Sequence, residues 1–423
     1  MAVSPDRTLE NNLKQILPPD HIVPPEARAP VRVTVIPQEV EQICELVTLA
    51  RKTGITLLPV GGTTHMYPAA QPLDVGVSLS QLDGNIQHNP DDLTATASAG
   101  TPFPVVQEKL AEQGQTLPLD SPPDERSTLG GVISTNHYGP RVHRYGTARD
   151  WVVGTRVVNG HGQLSRAGGK VVKNVSGYDL NKLYVGSRGT LGIVVEVSLK
   201  LHPLPQARSI WGVRSPRVAD LMALAASLRR SGFAVEAAAI LRENRTDDNP
   251  GMWSLLVAMS GSTSTLPEQE ASVKSHLEGY TAAYSVHRDE AQSMWIRMEK
   301  DFTEENPSLV TVAKVSLGIK GLKTFLQDDL FAGDSGLIVR AYPSAGVCHI
   351  GFSSRNETPS GPVERTVNTV RQLGGFIEFT LLPPDSSRDR WPIVPSSLPW
   401  MKQIKTALDP DGVFAPGTFV GGI

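Results

Sequence analysis

Gly186, Gly189 and Gly192 recur at three-residue spacing around Thr190, inside the run DLNKLYVGSRGTLGIVVEVSLKL from Asp179 to Leu201. Glycine at such positions lets a backbone turn tightly and approach a flat ligand with no side chain intervening. The β-branched, apolar residues that follow would form a strand that holds the turn on a rigid edge. A Rossmann fingerprint has the opposite order, with G-x-G-x-x-G leaving a strand and opening a helix.

Two earlier stretches offer the rest of a flavin dinucleotide site. In PVGGTTHM, Pro59 to Met66, a strand ending in Gly61-Gly62 and followed by Thr63 and Thr64 can aim successive N–H groups at a pyrophosphate. Taken alone, the octapeptide also fits an ordinary glycine turn. In SPPDERSTLGGVISTNHYG, Ser121 to Gly139, Gly130-Gly131 lets the main chain pass under a ring system. There Ser127, Thr128, Ser134, Thr135 and Asn136 supply hydroxyl and amide groups for flavin or phosphate oxygens. Lys173 and Arg144 could stabilise negative charge on a reduced flavin, with solvated surface cations as the alternative.

The elements that would carry these loops follow from periodicity. Val33 to Ile36 reads as a strand, and EVEQICELVTLARKTG as a helix with Ile43, Leu46, Val47 and Ala50 on one face and Gly54 as its C-terminal cap. Ile55 to Val60 completes a β-α-β unit. Further strands are expected at Val75 to Leu79, Thr94 to Ala99 and Trp151 to Asn159, with a helix at Pro104 to Gln113 and a hairpin turn at Asn159-Gly160. Pro203 and Pro205 would close this domain. Beyond it, Ile210 to Val213, a helix at Val218 to Arg230, Ala234 to Ile240, Trp253 to Met259 and a helix at Glu268 to Glu278 form one set. Leu309 to Val315, a helix at Lys320 to Leu330, Leu337 to Tyr342, Val347 to Phe352, a helix at Pro362 to Leu373 and Gly375 to Leu381 form another. The fold class expected is therefore α+β. The first domain would span residues 1–206, the second 207–385 with two split β-α-β halves in one antiparallel sheet covered by helices, and the tail 386–423 would return to the first domain.

Composition narrows the function classes. The 423 residues suggest two or three domains at ~150 residues each. A net charge of -3 with both signs mixed gives no case for a nucleic-acid binder. The two cysteines, Cys44 and Cys348, cannot hold an iron–sulfur cluster, which takes four thiolates. They read as reduced apolar thiols rather than a disulfide. Neither a signal peptide nor an apolar stretch of membrane-spanning length is evident, so a cytoplasmic protein is expected, associated with a membrane only through partners.

Together with VHRYGTARDWVVGTRVVNGHG at Val142 to Gly162 and GGKVVKNVSGYD at Gly168 to Asp179, these stretches resemble the FAD-binding domain of the p-cresol methylhydroxylase (PCMH) and vanillyl-alcohol oxidase superfamily. Within it, the run from Gly139 to Pro203 most resembles the FAD-binding accessory subunit of bacterial glycolate oxidase, or glycolate dehydrogenase. LDPDGVFAPG is similar to that family's closing motif. The resemblance assigns Gly61, Gly62, Thr63 and Thr64 to the pyrophosphate loop. It places Pro122, Thr128, Gly130, Gly131 and Ser134 along the dinucleotide and flavin, and Gly189, Thr190, Gly192, Ile193 and Val194 at the adenine and ring edge. Gly146, Asp150 and Gly154 match a YG-x-x-RD-x-V-x-G element whose aspartate braces the fold. Three positions depart from the family: Val60 stands where an arginine is common, Arg188 where an acidic residue is common, and Ala415 where asparagine is common. His65 lies two places beyond the histidine that some members bond to flavin, which implies noncovalent FAD.

The resemblance implies a chain that relays electrons or supports assembly beside a catalytic FAD-binding subunit and an iron–sulfur subunit, which together oxidise glycolate to glyoxylate. Catalytic relatives carry G-D-G-N-x-H and E-H-G elements. Here the comparable strand reads AGVCHIGFSS, so His349 is expected to be a strand histidine, and catalytic residues are not identified. The alternatives are a self-sufficient FAD-dependent dehydrogenase of a 2-hydroxy acid or other alcohol, and a structural subunit without cofactor.

Overall fold

The computed structural model describes residues 7–26, 28–64, 66, 72–82, 84–122, 124–169, 179–242, 252–277, 283–286, 302, 306, 308–331, 336–353, 361–383 and 386–423. By its internal contacts the chain divides into two units. One comprises Met1–Tyr138, Thr147–Leu204 and Ser396–Ile423, the other Gly139–Gly146 and Pro205–Pro395. Among the described residues no helix is long and apolar enough to cross a membrane.

After a helix at Arg7–Leu13 and a short strand at Ile22–Val23, the first unit builds β1 (Val31–Val35), α1 (Val40–Thr53), β2 (Leu57–Val60) and β3 (Leu73–Ser78). Ile43, Leu46, Val47 and Ala50 are buried along α1. A capping box between Glu39 and Gln42 starts that helix, and Gly54, at φ 71°, ends it in the left-handed conformation glycine favours. β1 and β2 do not pair with each other. Both run parallel to β3, which lies between them, with Val33 opposite Val75 and Pro59 opposite Val77. The tail extends this sheet: the Leu57 N–H donates to the Val413 carbonyl and the Ala415 N–H to the Leu57 carbonyl, each at 2.8 Å. Ala415 is buried with Val31, Leu58, Val60 and Leu73.

A second sheet uses β4 (Thr94–Ser98), β5 (Val152–Val158), β6 (Leu164–Gly168) and β7 (Ile193–Lys200) in the antiparallel order Gln87–Asn89, β4, β7, β5, β6. Between β4 and β5 come α2 (Phe103–Ala111) and α3 (Leu129–Thr135). The β5–β6 hairpin closes over Asn159 to Gln163, and Gly162, at φ 75°, takes the left-handed position. Gly160 has a different reason to be glycine, because a Cβ there would lie 2.6 Å from the Leu408 carbonyl oxygen.

The second unit contains β8 (Ala207–Ser215), α4 (Val218–Arg230), β9 (Val235–Arg242), β10 (Trp253–Gly261), α5 (Leu266–Leu277) and β11 (Ala283–Val286). A second set follows: β12 (Thr311–Ser316), α6 (Ile319–Leu326), β13 (Ile338–Tyr342), β14 (Val347–Phe352), α7 (Pro362–Gln372) and β15 (Phe376–Leu381). All neighbours in this eight-stranded sheet are antiparallel, in the order β11-β8-β10-β9-β13-β14-β12-β15. The halves join where Ile240, Leu241 and Arg242 pair with Ala341, Arg340 and Val339. Apolar residues of both halves, Val257 and Ile350 among them, share one core with α4 to α7. The expected helix from Lys320 to Leu330 is shorter: α6 ends at Leu326 and a separate 3-10 turn runs Asp329–Phe331.

Candidate functional site

Three loops of the first unit meet at an open cleft of about 890 Å³, a volume that includes the solvent at its mouth. The loop after β2 contributes Gly61, Gly62, Thr63 and Thr64. The segment leading into α3 contributes Pro122, Thr128, Gly130, Gly131 and Ser134, and the turn into β7 contributes Gly189, Gly192 and Val194. Thr190 and Ile193 are not part of this lining. The Thr190 hydroxyl donates to the Ser187 carbonyl at 2.7 Å, and its own carbonyl accepts from Lys405 Nζ at 2.7 Å. Ile193 is fully buried. His65 and Lys173 lie outside the described residues.

The glycines do not all serve one purpose. A Cβ on Gly62 would lie 1.8 Å from the Arg126 carbonyl oxygen, one on Gly61 2.4 Å from Thr128 Oγ1, and one on Gly130 2.8 Å from Ala99 Cβ. Gly189 combines φ 75° with a would-be contact of 2.9 Å to Pro59 Cγ, and Gly192 one of 2.8 Å to Val157. These residues bring the three loops together, so the fold itself requires them. Gly131 differs: beyond its own helix, the one atom of the described residues within 4 Å of its Cβ would be Thr128 Oγ1 at 3.1 Å. A Cβ on Gly131 would point into the cleft that this residue lines.

Several hydroxyls in the lining already have partners in the fold. Thr128 is the N-cap of α3, its Oγ1 accepting from the Gly131 N–H at 3.1 Å. Thr135 and Ser134 donate to the Gly131 carbonyl at 2.7 and 3.4 Å, and Ser127 donates to the Pro122 carbonyl at 3.4 Å. Thr63 sits at φ 54° and Arg188 at φ 53°, left-handed conformations that non-glycine residues adopt at a cost. Leu79, Ala99 and Gly100 complete the wall. Sequence reasoning passed over them because they follow directly on strands β3 and β4 and carry no polar side chain. The one available signal was Gly100, whose Cβ would lie 2.0 Å from the Leu79 carbonyl oxygen.

The tail anchors the same region. Lys405 Nζ donates to the carbonyls of Thr190 and Phe414 and to Asp409 Oδ2, each at 2.7 Å. Asp409 is fully buried and accepts from the N–H groups of Val413 and Phe414 at 3.0 and 2.9 Å. Asp150 proves to be a cap, accepting from the Thr147 N–H at 2.9 Å at the start of the turn Ala148–Trp151.

In the second unit, Arg144 is exposed and lies over the Tyr145 ring at 5.6 Å. Glu236 is buried between Arg141 and Arg208, with closest contacts of 3.2 and 2.9 Å. Burial alone would raise its carboxyl pKa, but the two guanidiniums outweigh that and hold it below the usual value. His143 contacts Ser344 Oγ through Nδ1 at 2.6 Å. Burial, aided by Arg229, lowers its pKa to about 4. Across β13, β14, β12 and β15, Arg340 pairs in register with His349, His349 with Lys314, and Lys314 with Glu378. Strand alternation puts all four side chains on one face. The Arg340 guanidinium lies 4.7 Å from the Phe302 ring centre and 5.5 Å from that of Tyr342. His349 is thus a strand histidine, but one placed in a row of ionisable groups, which local sequence could not reveal. Among the described residues, no group of three His, Cys, Asp or Glu could hold a metal ion.

Glycine backbones, small hydroxyls and the apolar Leu58, Val60, Met66 and Val132 suit a ligand that is part ring and part phosphate. The vacant space over Gly131 fits FAD. Residues 31–168 match the model of a family described as the FAD binding domain. D-2-hydroxyglutarate dehydrogenase of Stutzerimonas stutzeri (strain A1501) is 26% identical over 418 residues, covering 90% of this chain and 89% of that protein. The enzyme of the same name from Xanthomonas citri pv. viticola is 37% identical over 196 residues, 46% of this chain and 42% of that one. Glycolate oxidase subunit GlcE of Escherichia coli (strain K12) is 43% identical over 125 residues, 29% of this chain and 36% of that subunit. The matches to the last two therefore span less than half of either relative. Among solved structures, alkyldihydroxyacetonephosphate synthase superposes with a TM-score of 0.73 at 19% identity, covering 98% of this chain and 85% of that one, which shows a shared fold. The first unit is a PCMH-type FAD-binding domain, and the chain is of the FAD-dependent oxidoreductase type.

Proposed function

We propose that the protein oxidises a 2-hydroxy acid to the 2-oxo acid with FAD held noncovalently in the first-unit cleft. The carrying observation is the extent of the match to D-2-hydroxyglutarate dehydrogenase, which runs through both units over 90% of the chain. Bound FAD would accept the two electrons that leave the hydroxyl-bearing carbon. Gly61 to Thr64 and Gly130-Gly131 would hold the dinucleotide, with Gly189, Gly192 and Val194 at its edge. A 2-hydroxy acid also needs a cation for its carboxylate and a base within hydrogen-bond reach of its hydroxyl. The row Arg340, His349, Lys314 and Glu378 within the second unit's sheet carries groups of both kinds. Anaerobic addition of D-2-hydroxyglutarate, D-lactate or glycolate to the purified holoprotein should bleach its flavin with one of the three. No bleaching by any of them would reject self-sufficient oxidation.

A second reading has its own support. The 43% identity to subunit GlcE, with the absence of G-D-G-N-x-H and E-H-G elements from the sequence, favours an FAD-binding subunit of a glycolate dehydrogenase complex. On that reading, glycolate reduces an added dye only when a catalytic flavoprotein subunit and an iron–sulfur subunit are present. Bleaching of the isolated chain's flavin by glycolate would remove the need for it.

A further inference from the structure

Arg188 is the one charged side chain among the described residues lining the cleft. The pyrophosphate of FAD brings two negative charges there, and anions in partly enclosed sites need charge-assisted donors. The resembling family commonly places an arginine just before its first loop glycine, where this chain has Val60, and an acidic residue where this chain has Arg188. In the fold these two positions belong to one cleft, since Val60 and Arg188 both line it. The turns also touch directly: a Cβ on Gly189 would lie 2.9 Å from Pro59, the neighbour of Val60. Arg188 is held in its left-handed conformation at φ 53°, its N–H donating to the Ser134 carbonyl at 2.8 Å. Such a conformation for a long side chain persists where the surroundings over-determine it, often at binding sites.

We infer that Arg188 is the cation that binds the FAD pyrophosphate in this chain, the positive charge having moved from the β2 loop to the opposite turn. This rests on FAD being the ligand. Arginine suits the role because its planar fork can give two parallel hydrogen bonds to phosphate oxygens.

The test is FAD titration of apoprotein by calorimetry at low and high salt. Arg188→Met should weaken FAD binding roughly 10-fold to 100-fold, as expected for loss of a charge-assisted hydrogen bond. It should also flatten the salt dependence, since screening acts on the lost charge. Arg188→Gly removes the charge while relieving the left-handed backbone. It should weaken binding like Arg188→Met if charge is what matters, and it remains informative should the Met variant fold poorly. Arg188→Lys should keep most of the affinity. Val60→Arg added to Arg188→Met should restore binding by returning the charge to the other wall. Wild-type affinity and salt dependence in Arg188→Met or Arg188→Gly would overturn the inference and leave the FAD assignment intact. Failure of the wild-type apoprotein to bind FAD would instead overturn the assignment.

Discussion

Gly131→Ala separates the needs of the ligand from those of the fold. In the ligand-free protein the added Cβ meets only Thr128 Oγ1 at 3.1 Å, a contact relieved by a shift of a few tenths of an ångström. Gly131 is also the third residue of α3, where alanine is favoured over glycine by up to about 1 kcal/mol. The apoprotein should therefore be as stable as wild type or slightly more so. With FAD present, the methyl occupies space the cofactor needs, and overpacking of this kind costs about 1–3 kcal/mol. That corresponds to roughly 5-fold to 150-fold weaker binding. At FAD equal to ~100 times the wild-type Kd, the ligand stabilises wild type by about 2.7 kcal/mol. A variant binding ~30-fold more weakly would gain only about 0.9 kcal/mol. The stabilisation by FAD, read as the holo-minus-apo difference in melting temperature, should then be smaller in the variant by roughly 4–8 °C, with the apo value unchanged or slightly raised. Differential scanning calorimetry with and without FAD reads both. Equal FAD stabilisation of the two proteins would refute the reasoning and mean that the dinucleotide avoids Gly131. Gly62→Ala is the contrast, because its Cβ would lie 1.8 Å from backbone and the apoprotein itself should be destabilised.

Acid precipitation should release all flavin into the supernatant, and colour kept by the pellet would contradict noncovalent binding. Lys405→Met takes the cation from the buried Asp409 carboxylate and leaves it only the Val413 and Phe414 N–H groups, so it should destabilise the first unit by about 3 kcal/mol; a change below 1 kcal/mol in urea unfolding would show the cluster to be incidental. His143 is harder to protonate folded than unfolded, so its contribution is complete above pH 6.5 and is lost as pH falls toward about 4. The loss is of order 3 kcal/mol. Stability of wild type should therefore drop between pH 6.5 and 4.5, and His143→Gln should flatten that slope; an unchanged slope in the variant would assign it elsewhere.

Elements whose signal is local were legible in the sequence. α1 could be read from Ile43, Leu46, Val47, Ala50 and the Gly54 cap, and α4 runs over the Val218–Arg230 span that its periodicity indicated. Relations between distant segments were not. Nothing near Ile55 to Val60 tells that β3 will lie between β1 and β2, or that Val413 to Ala415 will pair beyond Leu57. The same division holds in the site. Glycine spacing pointed to the loops, but whether a glycine is pressed against the fold, as Gly62 is against Arg126, or faces open space, as Gly131 does, depends on what approaches from elsewhere in the chain. Thr190 sits among those glycines, and nothing local to it tells that its carbonyl accepts from Lys405, 215 residues away.

The sheet of the second unit is close to a palindrome, with each half contributing the same strand sequence outward from the β9–β13 seam. At that seam Arg340 lies opposite Leu241 and Arg242 opposite Val339, so each half sets one arginine against an apolar residue of the other. Both arginines are buried. Successive residues of a strand point to opposite faces, so the two guanidiniums sit on opposite sides of the sheet and the backbone of the seam keeps the like charges apart.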